Sequence, residues 1–151
     1  MGTDLEIVLV RAGCSSEKNQ EIYWIFSRAQ LEFVLKELDH DDSSGSPVIA
    51  RYQDMLLPVL SLGDYFGFTV DAVGESQKYM VLRSADENKK LTRLIVPSNF
   101  SPQILKLTNA FASLTDFTTP ANSFHIRGAY SLGRDKVGVV PDVGSICQGL
   151  V

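Results

Sequence analysis

The chain has 151 residues, 44% hydrophobic and 21% charged, with a formal net charge of −4. That is enough apolar material for a core without disulfide or metal staples, in one domain or in two small lobes that share a core. The acidic balance argues against a nucleic-acid binder, which usually carries a clustered basic face, and apolar runs such as Ile7 to Val10 are far too short to span a bilayer.

Leu5 to Val10 is β-rich and apolar and predicts a buried strand, followed by a polar loop over 13–21. Ile22 to Phe26, which carries the only Trp, predicts a second strand. Arg28 to Leu38 is ambiguous. Ser27 and Gln30 fit a capping box, and Leu31, Val34, Leu35 and Leu38 have helical spacing, yet Phe33 and Val34 suit a strand equally well. Asp39 to Pro47 reads as a loop broken by Gly and Pro. Val48 to Tyr52 and Met55 to Leu60 read as strands around a tight Gln53-Asp54 turn. Pro58 is tolerable near the end of the second strand, at a sheet edge. Ser61 can cap a short helix over 62–66 that Gly67 stops.

A polar connector follows over 69–78. Tyr79 to Arg83 and Leu91 to Val96 are strands flanking a charged turn from Ser84 to Lys90. Asn99 to Pro102 breaks the chain, Ile104 to Leu107 is short and extended, and Asn109 to Asn122 is irregular. Phe124 to Tyr130 and Lys136 to Val140 form a hairpin around Gly133-Arg134-Asp135. Pro141 to Gln148 reads as a terminal turn or short helix that Asp142 can cap. Many short strands punctuated by Gly, Pro and Asp give a mostly β class, of the kind found in small curved barrels.

Motifs for catalysis are missing. There is no G-x-S-x-G, phosphate loop, C-x-x-C or H-E-x-x-H, and the glycines of Gly128 to Gly133 have the spacing of a hairpin, not of a dinucleotide site. Asp39-His40-Asp41-Asp42 holds four potential ligands in a row, but a cation loop spaces them alternately, so a solvated loop is expected and no metal. With only two histidines, His125 reads as a packed or edge residue, not as a catalytic base. Cys14 and Cys147 stand near opposite ends of a chain without a secretory leader, which predicts free thiols and a cytoplasmic protein. A small β domain can instead bind through an exposed edge or groove, for which Leu31, Phe33, Tyr52 and Met55 are candidates.

One stretch carries a family signal. Val48 to Gly67, VIARYQDMLLPVLSLGDYFG, resembles the central signature of the CheW-like domain, the adaptor module of bacterial chemotaxis arrays. Leu5 to Gly13, Leu31-Glu32-Phe33-Val34-Leu35, the strands Tyr79 to Arg83 and Leu91 to Val96, and Ile126 to Tyr130, Asp135-Lys136-Val137, Asp142-Val143 and Ile146 follow in the family's order. The resemblance implies one CheW-like domain over 1–151, built as two interleaved SH3-like lobes of about five strands with short helices. It resolves the ambiguous segment as a helical turn at 28–30 and a strand at 31–36.

The resemblance also implies a non-catalytic adaptor, without cofactor, that couples a chemoreceptor's cytoplasmic tip to the regulatory domain of a CheA-type histidine kinase. Such a protein is cytoplasmic and recruited to membrane-associated arrays without entering the membrane. Receptor-facing positions fall by resemblance on Leu31, Phe33, Gln53 and Asp54. Several depart from the family pattern. Tyr52-Gln53-Asp54 stands where the family has Leu-Arg-Gly, Phe33 where it has Glu, and Pro97 where it has Asp. Gln cannot replace an arginine's forked charge. An accessory module for another signalling or motility system is the alternative.

Overall fold

Apolar residues at every second position of paired strands set the architecture. The computed structural model describes residues 6–15, 20–40, 49–68, 77–85, 88–106 and 112–149. The strands are β1 (Glu6–Ser15), β2 (Gln20–Ser27), β3 (Leu31–Leu35), β4 (Asp39–His40), β5 (Ile49–Tyr52), β6 (Met55–Pro58), β7 (Lys78–Ala85), β8 (Leu91–Ser98), β9 (Gln103–Lys106), β10 (Ala112–Ser113), β11 (Ile126–Gly133) and β12 (Lys136–Pro141). Two short helices, α1 (Leu62–Phe66) and α2 (Val143–Gly149), and 3-10 turns at Arg28–Gln30 and Ser123–His125 complete the order.

The first lobe is a six-stranded sheet in the order β10-β11-β12-β2-β1-β9, antiparallel except where β12 runs parallel to β2. The second joins β3-β7-β8 to β4-β5-β6. A bridge from Val59 to Ile95 connects these two sheets, and the Leu60 N–H donates to the Ile95 carbonyl at 2.9 Å. Setting aside the two-residue strands β4 and β10, each lobe has five strands among the described residues, as expected.

The β7–β8 hairpin serves both lobes. Met80, Leu82, Leu94 and Val96 face the main core with Val8, Val10, Ile22, Trp24, Phe26, Val137 and Val139. The alternate residues Val81 and Ile95 face a second core with Ala50, Tyr52 and Leu57. A strand with both faces buried loses the polar-apolar alternation, which is why Met80-Val81-Leu82 and Leu94-Ile95-Val96 are unbroken apolar runs. Fully burying side chains such as Phe26 and Phe66 contributes roughly 1.5–3 kcal/mol each.

Leu57 enters the second core, and Phe66 is fully buried against Trp24, ring centroids 5.5 Å apart. Ser61 caps α1, its Oγ accepting from the Asp64 N–H at 3.4 Å. Gly67 ends the helix at φ +81°, where a Cβ would also lie 2.9 Å from Pro120.

Several expectations are corrected. The 13–21 loop is mostly strand, because β1 runs to Ser15 and β2 begins at Gln20; only 16–19 fall outside the described residues. Asp39 and His40 are not loop, since they pair with Arg51 and Ala50 as β4. Strand β8 continues through Pro97 to Ser98, and β7 takes in Ser84 and Ala85. Phe124 and His125 form a 3-10 turn ahead of β11, and Ala112 and Ser113 within the irregular segment pair with β11. Positions 69–76 of the expected 69–78 connector, 41–47 of the expected 39–47 loop, and position 48 of the strand expected after it lie outside the described residues. Cys147, by contrast, is a free, buried thiol as expected.

Candidate docking surface

The ambiguous segment after β2 folds as a turn and a strand. The Ser27 N–H donates to Gln30 Oε1 at 2.9 Å, which closes one side of the expected capping box around the 28–30 turn. The chain then enters β3, which pairs with β7 and is the outer strand of its sheet. A register shift between Leu31 and Phe33 makes Glu32 the extra residue of a bulge. Bulges re-aim side chains, and this one turns three neighbours three ways. Leu31 is half-buried against the main core, Glu32 points into the second lobe, and Phe33 stands 55% exposed.

Glu32 is the centre of a polar network that sequence reasoning missed. Its side chain is only 15% exposed. Arg93 Nε, from β8, donates to both carboxylate oxygens at 3.0 and 3.1 Å. Arg83, from β7, lies 3.6 Å from Oε1, and its Nε donates to the Ala29 carbonyl at 2.8 Å. The Tyr52 hydroxyl is hydrogen-bonded to the same carboxylate, and an Arg93 N–H reaches Met55 Sδ at 3.6 Å. Burial pushes the Glu32 carboxyl up, but the Arg93 and Tyr52 hydrogen bonds and the Arg93 and Arg83 charges outweigh it and hold it below its ordinary value. Burial, followed by the bond to Glu32 and its negative charge, pushes the Tyr52 phenol up.

This network joins the two receptor-facing segments that the resemblance marks. Glu32 stands between Leu31 and Phe33, and Tyr52 immediately precedes Gln53. Gln53 and Asp54 are exposed at the tip of the β5–β6 hairpin, both in the left-handed region at φ +47° and +64°. That is the two-residue type I′ turn, here made without the usual Asn-Gly. Tyr52, offered above as a docking residue, is a core residue at 7% exposure, and Met55 is half-buried beside it. Phe33, Gln53 and Asp54 are therefore the outward-facing members of the set, with Leu31 at its margin.

Beside this surface a groove of about 530 Å³ runs between the lobes, its walls including Ala29, Gln30, Arg83 and Leu91 on one side and Arg127 and Pro141 on the other. A smaller cavity of about 300 Å³ lies between β1 and the end of β8, with Trp24 and Phe100 as apolar walls and Arg11 and Asp64 at its rim.

His125 is the packed histidine that the sequence suggested. It stacks on Tyr65 at 5.8 Å between ring centroids, its Nδ1 hydrogen-bonds the Tyr65 hydroxyl, and Phe124 lies against its ring. Asp39, from the acidic run, is paired with Arg51 on the neighbouring strand at 3.9 Å. No cluster of three or more His, Cys, Asp or Glu among the described residues could hold a metal ion, and no helix among them is long and apolar enough to cross a membrane.

The backbone aligns with the crystal structure of the scaffolding protein TtCheW from Thermoanaerobacter tengcongensis, with a TM-score of 0.60 over 93% of this chain and 86% of that one. The fold is CheW-like. Sequence identity over the match is 10%, and no protein-family model and no curated protein matches the chain. At that identity the likeness concerns the fold. Within the CheW-like fold, the apolar frame of the 48–67 stretch persists in Leu57, Phe66 and Gly67, while the turn at its centre carries Gln53 and Asp54.

Proposed function

We propose that this chain is a non-catalytic signalling adaptor, folded as one CheW-like domain, that couples a chemoreceptor's cytoplasmic tip to the regulatory domain of a CheA-type histidine kinase. The observation that carries this reading is the CheW-like fold with an exposed aromatic, Phe33, on the outer strand β3, tied through Glu32 and Tyr52 to the exposed Gln53-Asp54 turn. An apolar residue on an open strand edge beside a groove between two lobes suits a partner helix or helical hairpin. Leu31 at the margin, Phe33 on the strand, and Gln53 and Asp54 at the turn would form the receptor contact. The kinase's regulatory domain would meet a lobe elsewhere. The protein would work in the cytoplasm and reach the membrane only through the array.

A second reading keeps the fold and changes the partner. Tyr52-Gln53-Asp54 offers no cation at the turn, and the Glu32 carboxylate is committed internally to Arg93 and Arg83. Partner specificity resides in such charges, so their rearrangement favours an accessory module for another signalling or motility system. Binding of the purified chain to the regulatory domain of a CheA-type kinase and to a receptor tip fragment encoded near it separates the two. Saturable binding to both supports the coupling role. Kinase binding without receptor binding supports the second reading. Absence of both overturns the adaptor assignment.

A further inference from the structure

The cavity between β1 and the end of β8 is bounded by irregular backbone. A register shift between Arg11 and Gly13 makes Ala12 the extra residue of a bulge in β1, and bulges re-aim side chains beside binding sites. The turn after β8 is held by its own bonds. The Ser98 hydroxyl donates to the Phe100 carbonyl at 2.7 Å and accepts from the Phe100 N–H at 3.1 Å, and Lys78 Nζ donates to Ser101 Oγ at 2.7 Å. The Arg11 guanidinium lies over the Phe100 ring, 5.2 Å from its centroid. The Trp24 wall packs on Phe66 and Phe68, with ring centroids 5.5 and 5.8 Å apart. The walls are therefore fixed before any ligand arrives.

Among the described residues, Arg11 is the one cation of the lining and Asp64 the one carboxylate, joined by the side-chain amides of Gln77 and Asn99. Arg11 also pairs with Glu21 at 3.8 Å, and a guanidinium carries enough donors to serve Glu21 and a ligand together. We propose that this cavity binds a small zwitterion, a free α-amino acid with an apolar side chain. Its carboxylate meets Arg11, its ammonium group meets Asp64, and its side chain lies against Trp24 and Phe100. A simple anion would face the Asp64 carboxylate, and a simple cation the Arg11 guanidinium, so the lining favours a molecule that carries both charges. A volume of about 300 Å³ is at the lower end of small-molecule sites, which suits a single amino acid better than a nucleotide or a peptide. None of the lining belongs to β3 or to the β5–β6 turn, so the site stands apart from the docking surface.

Trp24 is the only tryptophan of the chain, so its fluorescence reports on the cavity directly. The full chain is titrated with L-leucine, L-methionine and L-phenylalanine up to about 10 mM, and binding is confirmed by calorimetry. At least one of them gives a saturable change with a dissociation constant of about 1 mM or below. The amide of that amino acid, which lacks the carboxylate, and its deaminated acid, which lacks the ammonium group, each bind at least about tenfold more weakly. Asp64→Asn, at an exposed position, and Arg11→Gln each weaken the amino acid at least about tenfold with circular dichroism unchanged, while Phe33→Ser on the docking surface does not. No saturable response to any of the three amino acids overturns the proposal. So does equal binding of the amide or the deaminated acid, or equal binding by folded Asp64→Asn.

Discussion

Replacing Glu32 with Gln keeps the shape of the side chain and one acceptor oxygen but removes the charge that holds two arginines and a tyrosine. Arg93 loses its two charge-assisted bonds of 3.0 and 3.1 Å at a site where both partners are largely buried. Hydrogen bonds to charged groups are worth about 1.5–3 kcal/mol each at most, and the retained amide oxygen recovers part of that. Arg83 is 43% exposed, so its share is screened by water and small. The expected net loss is about 2 kcal/mol, or a fall in Tm of roughly 4–8 °C for a domain of this size. The pH dependence identifies the cause. The folded Glu32 carboxyl lies below its ordinary value near 4.5, so its contribution is complete above that value and is lost as pH falls through the lower folded value. Urea denaturation from pH 7 down to pH 3 should therefore show wild type and variant converging below about pH 4.5. An equal gap at all pH values, or no gap at pH 7, refutes an electrostatic role for this network.

Further outcomes follow from the geometry. Gly138→Ala destabilises by about 1–3 kcal/mol, because the new Cβ would lie 2.4 Å from Ile25 Cδ1 and 3.2 Å from Leu132 Cδ1, while Gly149→Ala, with nothing within 4 Å, is neutral or slightly stabilising; chemical denaturation of both variants checks this. Gln53→Asn with Asp54→Gly gives the turn the residues its positive φ values favour and raises stability by about 0.5–1 kcal/mol, read as a higher urea midpoint at unchanged slope. Phe33→Ser leaves the urea midpoint within about 0.5 kcal/mol of wild type yet weakens partner binding at least about tenfold, measured by calorimetry.

The strands and the capped α1 were legible because local chemistry determines them. Ser61, Phe66 and Gly67 specify a short helix and its end whatever surrounds them, and Gln53-Asp54 between two β-rich runs leaves little but a tight turn. Leu31 to Leu38 was not legible from its own residues. Its helical spacing competes with β7, whose edge offers Leu31 to Leu35 a pairing partner, and the tertiary partner prevails. The loops at 13–21 and 39–47 were read from composition, but β1, β2 and β4 take polar residues into a ladder because pairing satisfies the backbone regardless of side chain. At this surface, Phe33 departs from the family pattern and stands exposed, while nothing in the local sequence marks Glu32 beside it. The available signal was Arg83 and Arg93 on two adjacent apolar strands; two arginines in a largely buried hairpin call for a carboxylate.

The arrangement around Glu32 separates the residues that tie the strands together from the residues that face outward. Arg93, Arg83, Tyr52 and Met55 reach the bulge from four different strands, and all but the half-exposed Arg83 are largely buried. Phe33, Gln53 and Asp54, the immediate sequence neighbours of Glu32, Tyr52 and Met55, are turned outward. A change at the outward positions leaves the frame intact, since none of the three contributes to either core. A change at Glu32 has the opposite character. It leaves the outward residues chemically intact but releases the tie between β3 and the β5–β6 turn, so partner binding should fall together with stability, and a partner present at saturating concentration should restore part of the lost Tm by mass action. A surface whose docking residues also braced the fold could not change partner without unfolding. This division therefore leaves the exposed Gln53-Asp54 turn free to vary without loosening the CheW-like fold.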